Sequence, residues 1–296
     1  MHKLVVGVAL LVATLSAQTK KVGPPAPPPP PEEGRASLIL GTALGDKNPD
    51  TRKQAVAALG LIGPREPYLS QIANALNADK DVPVRLAAVA SLVDIKDKGT
   101  ADLLNKALSD SAPEVSFAAA QALWGLDDPR GREALLVILR RDTKTQSSFL
   151  TAQQRDMLRM FHTPRTLMMF AAKTGVGFAP VPGLGAGISS LEDILTTASG
   201  VTGRARTALL LGTDRSPEVL AALKDALSDK DASVRAAVIH SMALRDDPAL
   251  AGMLVPSFDD PSQNVRLRAG AGYLRLSWLR SAPPAPKAKK AAVKKK

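Results

Sequence analysis

Residues 79–92 read Asp-Lys-Asp-Val-Pro-Val-Arg-Leu-Ala-Ala-Val-Ala-Ser-Leu, from Asp79 through Arg85 to Leu92. An aspartate followed six residues later by an arginine that opens an alanine-rich apolar run occurs again at Asp46 and Arg52, Asp229 and Arg235, and Asp260 and Arg266. A fifth copy runs from Asp110 to Ser116. Successive copies start 33, 31, 119 and 31 residues apart, and a period of that size marks stacked supersecondary units.

Three columns define what each copy builds. The residue before the arginine position is Thr51, Val84, Val115, Val234 and Val265; the third after it is Ala55, Ala88, Ala119, Val238 and Ala269; the seventh is Leu59, Leu92, Leu123, Met242 and Tyr273. Four-residue spacing puts them on one helix face, with a small residue in the middle that lets a neighbouring helix come close. A second apolar segment follows after a short break, at 68–76, 101–108, 132–139, 217–227 and 250–255. So short a break makes the pair antiparallel. The aspartates, with Asn48, Asp81, Ser111, Asp231 and Ser262, are expected to cap the coming helix, and Pro49, Pro83, Pro113 and Pro261 to sit in its first turn. The expected fold is all-α: a right-handed α-solenoid of stacked antiparallel helix pairs.

The motif D-x-x-V-R-x-x-A at Asp81–Ala88, and its near copy from Asp231 to Val238, resembles the HEAT-repeat family, in particular the short bacterial HEAT-like repeats first named after phycobilisome lyases. The resemblance spans about 46–140 and 200–280 and implies a binding scaffold. In such a stack Arg52, Arg85, Arg235 and Arg266 are expected to bridge carboxylates or carbonyls of the adjacent turn rather than to bind a ligand.

The resemblance also raises catalysis, because a HEAT-fold hydroxylase would need His-Glu pairs for a di-iron site. The histidines here, His2, His162 and His240, are followed by Lys3, Thr163 and Ser241. No nucleophile or pigment site for a lyase stands out, and no Ser or Asp joins a base in a triad. The reading is therefore non-catalytic, with no cofactor and no metal; His240 reads as a helix-surface or packing residue, and Trp124 and Trp278 as packing.

Outside the repeats the composition divides the 296 residues further. Residues 1–17 have a basic start, an apolar run from Leu4 to Leu15 and a small-residue exit, the arrangement of a secretory signal peptide. The expected location is therefore secreted or periplasmic, and the absence of cysteine leaves stability there to packing. Residues 18–33 form a proline-rich linker suited to an extended spacer. The repeats are expected at 34–144 and 200–280, with a basic Lys/Ala/Pro tail at 281–296. That tail carries six of the formal +11 charges, on Lys287, Lys289, Lys290, Lys294, Lys295 and Lys296. It suits anionic lipid heads or acidic envelope polymers. Export and the lack of stacking aromatics in the tail argue against nucleic acid.

The 119-residue step implies one degenerate unit, near 147–173, and a Gly/Pro-rich apolar insertion at 174–199, together residues 145–199. The expected order is thus an N-terminal block, this interruption, and a C-terminal block. The expected partner is a protein, held on a concave row of second helices through Gln71, Asn74, Asn105, Lys106 and Arg140. The insertion would add Phe178 and Leu184, with Phe170 just before it.

Overall fold

The computed structural model describes residues 31–140 and 203–281. Twelve α-helices occupy them: α1 Pro31–Leu44, α2 Pro49–Ile62, α3 Tyr68–Ala78, α4 Val82–Ile95, α5 Ala101–Ala107, α6 Pro113–Gly125, α7 Pro129–Arg140, α8 Gly203–Leu211, α9 Pro217–Asp225, α10 Ala232–Ala243, α11 Ala251–Leu254 and α12 Gln263–Ser281. No strand is found among the described residues, and the architecture is an α-solenoid.

Each phrase opens a first helix: α2, α4, α6, α10 and α12. All three sequence columns are buried in every copy, from Thr51 and Ala55 to Ala269 and Tyr273. Close approach recurs where the sequence places small residues. A Cβ on Gly60 of α2 would lie 3.0 Å from Ser91 Cα of α4, and one on Gly212, just after α8, would lie 2.9 Å from Ser241 Cβ of α10. Both serines use the proximity, Ser91 Oγ donating to Val56 O and Ser241 Oγ to Ala208 O, each at 2.9 Å.

The phrase aspartate and arginine form a ladder. Arg85 grips Asp110 of the next unit with Nε and Nη2, both at 2.9 Å, while Nη1 donates to Asp79 O of its own loop at 2.9 Å. Arg235 repeats this with Asp260 at 2.7 and 2.8 Å and with Asp229 O at 2.7 Å. Arg52 reaches Asp79, Asp81 and the carbonyls of Asp46 and Lys47, and Arg204 pairs with Asp229. The arginines are thus structural, as expected, and Ser116 fills the position by donating to Leu108 O at 2.8 Å.

The caps differ from the expectation in detail. Each phrase aspartate accepts from the backbone N–H two residues on, at 2.8–2.9 Å, and so folds the turn before the helix rather than capping the helix itself. Asn48 and Asp231 cap their helices, whereas the Asp81 carboxylate is taken by Arg52, and Ala112 rather than Ser111 stands at the start of α6. Pro261 precedes α12 by two residues instead of lying in its first turn. First helices end on a left-handed residue eleven after the arginine position: Gly63 (φ 96°), Lys96 (55°), Asp127 (58°) and Asp246 (55°).

The order of the units in space is not their order in the chain. First helices pack side by side as α8, α10, α12, α2, α4, α6, so the C-terminal block stacks on the start of the N-terminal block. The joint is a parallel pair of first helices like the others: Thr51 Oγ1 of α2 lies 3.4 Å from Gln263 Oε1 of α12, and Arg275 Nη1 donates to Leu61 O at 3.0 Å. Helix α1 completes it. No phrase precedes α1 and no second helix follows α12 among the described residues, and each supplies what the other lacks. They pack antiparallel, with Glu33 beside Ser277 and a Cβ on Gly270 lying 3.7 Å from Ala36 Cβ. Residues 31–33, expected in the proline-rich linker, are helical in α1. The degenerate unit and the insertion lie outside the described residues. In the chain, residues 141–202 connect α7 and α8, which stand at opposite ends of the row.

Candidate functional site

Second helices form one layer against the row of first helices. Which side is concave follows from two ionisable groups that reach each other across an intervening helix. Arg268 of α12 donates from Nη1 to His240 Nδ1 of α10 at 3.0 Å, and Asp94 of α4 stands within electrostatic reach of Arg268 across the intervening α2. Helices that are not neighbours in a row approach one another only on its inner side. The inner side is thus lined by first helices, and the second helices are the outer layer.

The residues expected on a concave row of second helices thus lie on the outer layer. Among them, Asn74 and Lys106 are exposed and Gln71 and Asn105 are half-buried there. The Gln71 Oε1 atom is buried and accepts no hydrogen bond. Lys106 lies at a polar depression of about 400 Å³ with Asp79, Arg85, Asp110 and Ser111, whose charges are already paired along the ladder. Arg140 ends α7. Phe170, Phe178, Leu184, His162 and the tail lysines Lys287, Lys289, Lys290, Lys294, Lys295 and Lys296 lie outside the described residues. Among the described residues no group of three His, Cys, Asp or Glu side chains could hold a metal ion.

The inner cluster was not foreseen. Arg268 is 1% exposed, and its Nε and Nη2 have no hydrogen-bond partner. Burial lowers its pKa to about 10 against the support of Asp94, and burial raises the Asp94 carboxyl to about 7 against the opposing pull of Arg268 and Lys96. Burial, then the charge of Arg268, pushes His240 well below the ordinary histidine value. A guanidinium has no acceptor, so His240 Nδ1 accepts and the ring is neutral. His240 is thus a buried packing residue. The column could have flagged Arg268: two residues after the arginine position the other phrases carry Gln54, Ala87, Ala118 and Ala237.

Asp94 gives a pH prediction. Its folded-state pKa, about 7, stands above the ordinary 3.8, so the stability it contributes is fully present below the ordinary value and lost as pH rises toward 7. Asp94→Asn removes that loss. Thermal melts from pH 4 to 8 are expected to show the variant gaining on the parent protein up to about pH 7 and a constant difference above it; a difference independent of pH would contradict the assignment.

The two tryptophans depart from the expectation of packing. Trp124 is 55% exposed and Trp278 48%. Trp124 lies in the last turn of α6, the last first helix of the described row. Trp278 lies beyond the point where the other first helices end, and Arg65 stacks on it with Cζ 3.5 Å from the ring centroid.

The sequence matches the family model described as HEAT repeats over residues 69–147 and 188–274, together more than half of the chain. The match gives the family and not the lyase-type subclass. No curated protein sequence matches significantly. Among solved structures, human deoxyhypusine hydroxylase in complex with glycerol is similar at 16% identity, over 82% of this chain and 96% of that one, with a TM-score of 0.31.

Proposed function

This chain belongs to the HEAT-repeat family, and from that premise we propose that it is an exported, non-catalytic scaffold that binds a protein partner along its outer layer. Neither a cofactor nor nucleic acid enters this reading. The observation that carries it is the open face of α1, which stands at the joint of the two blocks. Leu38 there is 68% exposed, and Cβ atoms on Gly34 and Gly41, one turn to either side, would meet nothing within 4 Å. Met253 of α11, on the neighbouring unit, is 39% exposed. A large exposed apolar side chain on a helix bare of covering atoms is what a partner can cover. Asn74 of α3 and Lys106 of α5 continue the layer with polar groups, as the rim of an interface requires.

Affinity capture comparing the parent protein with Leu38→Asp tests the reading. The substitution changes an exposed side chain and leaves the melting temperature within a degree or two. Specific loss of captured protein is expected. An identical partner set with Leu38→Asp and with Asn74→Ala/Lys106→Ala would remove the outer layer from the site. Export is checked separately by N-terminal sequencing of the protein recovered outside the cytoplasm, which is expected to begin near residue 17 or 18.

A further inference from the structure

The ladder of arginines and aspartates has a gap where the two blocks meet. Arg204, Arg235, Arg52 and Arg85 each grip an aspartate of the unit stacked next in the row. At the joint, Arg266 of α12 reaches the carbonyls of Asp260 and Pro261 and no carboxylate among the described residues, while Asp46, the phrase aspartate of the next unit, accepts from the Asn48 N–H. Beyond packing, α12 and α2 are linked by the 3.4 Å contact of Thr51 with Gln263 and by the bond from Arg275 to Leu61 O. The joint is therefore the row's weakest junction. Across it lies a guanidinium with one edge free. Arg268 donates from Nη1 to His240 Nδ1, and its Nε and Nη2 have no partner. Those two atoms form the edge with which Arg85 and Arg235 each hold an aspartate. Leaving that edge buried without an acceptor is costly.

The carboxylate within reach is Asp94 of α4, across α2, and it makes no hydrogen bond with Arg268 in this arrangement. Burial keeps Asp94 neutral up to about pH 7, and a neutral carboxyl draws a guanidinium far less than an ionised one. The charged groups acting on Asp94 are Arg268 and Lys96, the latter at the end of its own helix; none comes from α2, α3 or α6, which pack on α4. His240, faced by Arg268 and Arg275, stays neutral. We propose that the joint is a hinge with a latch: when Asp94 ionises, α4 and α12 close toward each other across α2, and Arg268 takes the Asp94 carboxylate on its Nε and Nη2 edge. Packed helices shift by about 1–2 Å in such changes, and the junction without a rung absorbs the movement. Closure on the inner side spreads the outer layer at the joint, where α1 stands with Leu38. Pairing favours the ionised carboxyl, so closure is present above the midpoint, is lost as pH falls through it, and has its midpoint at or below about pH 7. This goes beyond the scaffold reading and does not depend on a partner.

The chain has no cysteine, so a pair of spin labels can be placed cleanly. Gln121→Cys of α6 and Thr207→Cys of α8 carry them on exposed positions of the first helices at the two ends of the row. In the full chain the distance between the labels is expected to shorten by several ångströms from about pH 5 to about pH 8.5. Arg268→Met replaces a buried charge with an apolar side chain, a change that cores tolerate, and is expected to keep the longer distance at every pH. Asp94→Asn is expected to do the same. Arg268→Lys keeps the charge and loses the fork, and is expected to lose most of the shortening. A label distance that does not change with pH overturns the proposal, as does a shortening in Arg268→Met or Arg268→Lys equal to that of the parent protein. If Asp94→Asn melts early, the Arg268→Met comparison decides.

Discussion

Leu40→Ala is expected to loosen two parts of the chain that lie more than two hundred residues apart. Leu40 is 1% exposed in α1, and α1 packs on both α2 and α12. Truncating a buried leucine removes its transfer energy and leaves a cavity, at a cost of about 2–5 kcal/mol. If α1 served only the N-terminal block, the loss would be confined to it. Because α1 is the second helix of the unit that α12 begins, hydrogen exchange is expected to speed up in residues 263–281 as well as in 49–62, with a lower denaturation midpoint throughout. Faster exchange in 49–62 alone would show that α1 does not complete that unit.

Arg235→Ala carries the second large effect. Its guanidinium makes two bonds to Asp260 and one to Asp229 O, and the side chains of Arg235 and Asp260 are 13% and 9% exposed. Removing one member leaves the other carboxylate nearly buried without its partner, at a cost of about 2–3 kcal/mol after allowing for residual solvent. Arg266 provides the contrast. It donates to Asp260 O at 2.6 Å and Pro261 O at 3.1 Å, and has no carboxylate partner among the described residues. Arg266→Ala is therefore expected to cost about 1 kcal/mol or less. The Arg235 bond also holds the Asp260 carboxyl below its ordinary range, against burial. A depressed folded-state pKa gives stability that is present above the ordinary value and lost as pH falls through the folded one. Urea melts of both variants at pH 7 and pH 3 check this: the deficit of Arg235→Ala is expected to shrink in acid, and equal deficits for the two arginines would refute the ladder.

Much of this architecture was legible because the same constraint is written five times. Buried columns at fixed spacing and a charged pair at a fixed offset leave one solution, helix pairs in a stack, and Ser116 showed that the charged position is not a ligand site. The left-handed residue eleven places after the arginine was harder to read, since only Gly63 carries the glycine that signals it; Lys96, Asp127 and Asp246 take the conformation on tertiary demand. The order of the blocks was not legible at all. A repeat presents similar faces above and below, so periodicity fixes neighbours within a block and is silent on which block stands on which. Helix α1 carries no phrase, and only its contacts with α12 reveal what it completes. The inner and outer layers were exchanged for the same reason: spacing tells that two helices form a pair, and the curvature of the row tells which of them faces inward. That curvature appears in the electrostatic reach of Asp94 of α4 to Arg268 of α12 across α2.

The central claim is that the last described helix stacks on the first, making one row from two blocks. The chain has no cysteine, so a single engineered pair reports on it without interference. A Cβ at position 270 would lie 3.7 Å from Ala36 Cβ, within the range that a disulfide spans, about 3.5–4.5 Å. Ala36→Cys/Gly270→Cys is expected to form an intramolecular disulfide under mild oxidation, seen as faster migration without reductant and the absence of free thiol. Persistent free thiols, or crosslinks only between molecules, would contradict the joined row.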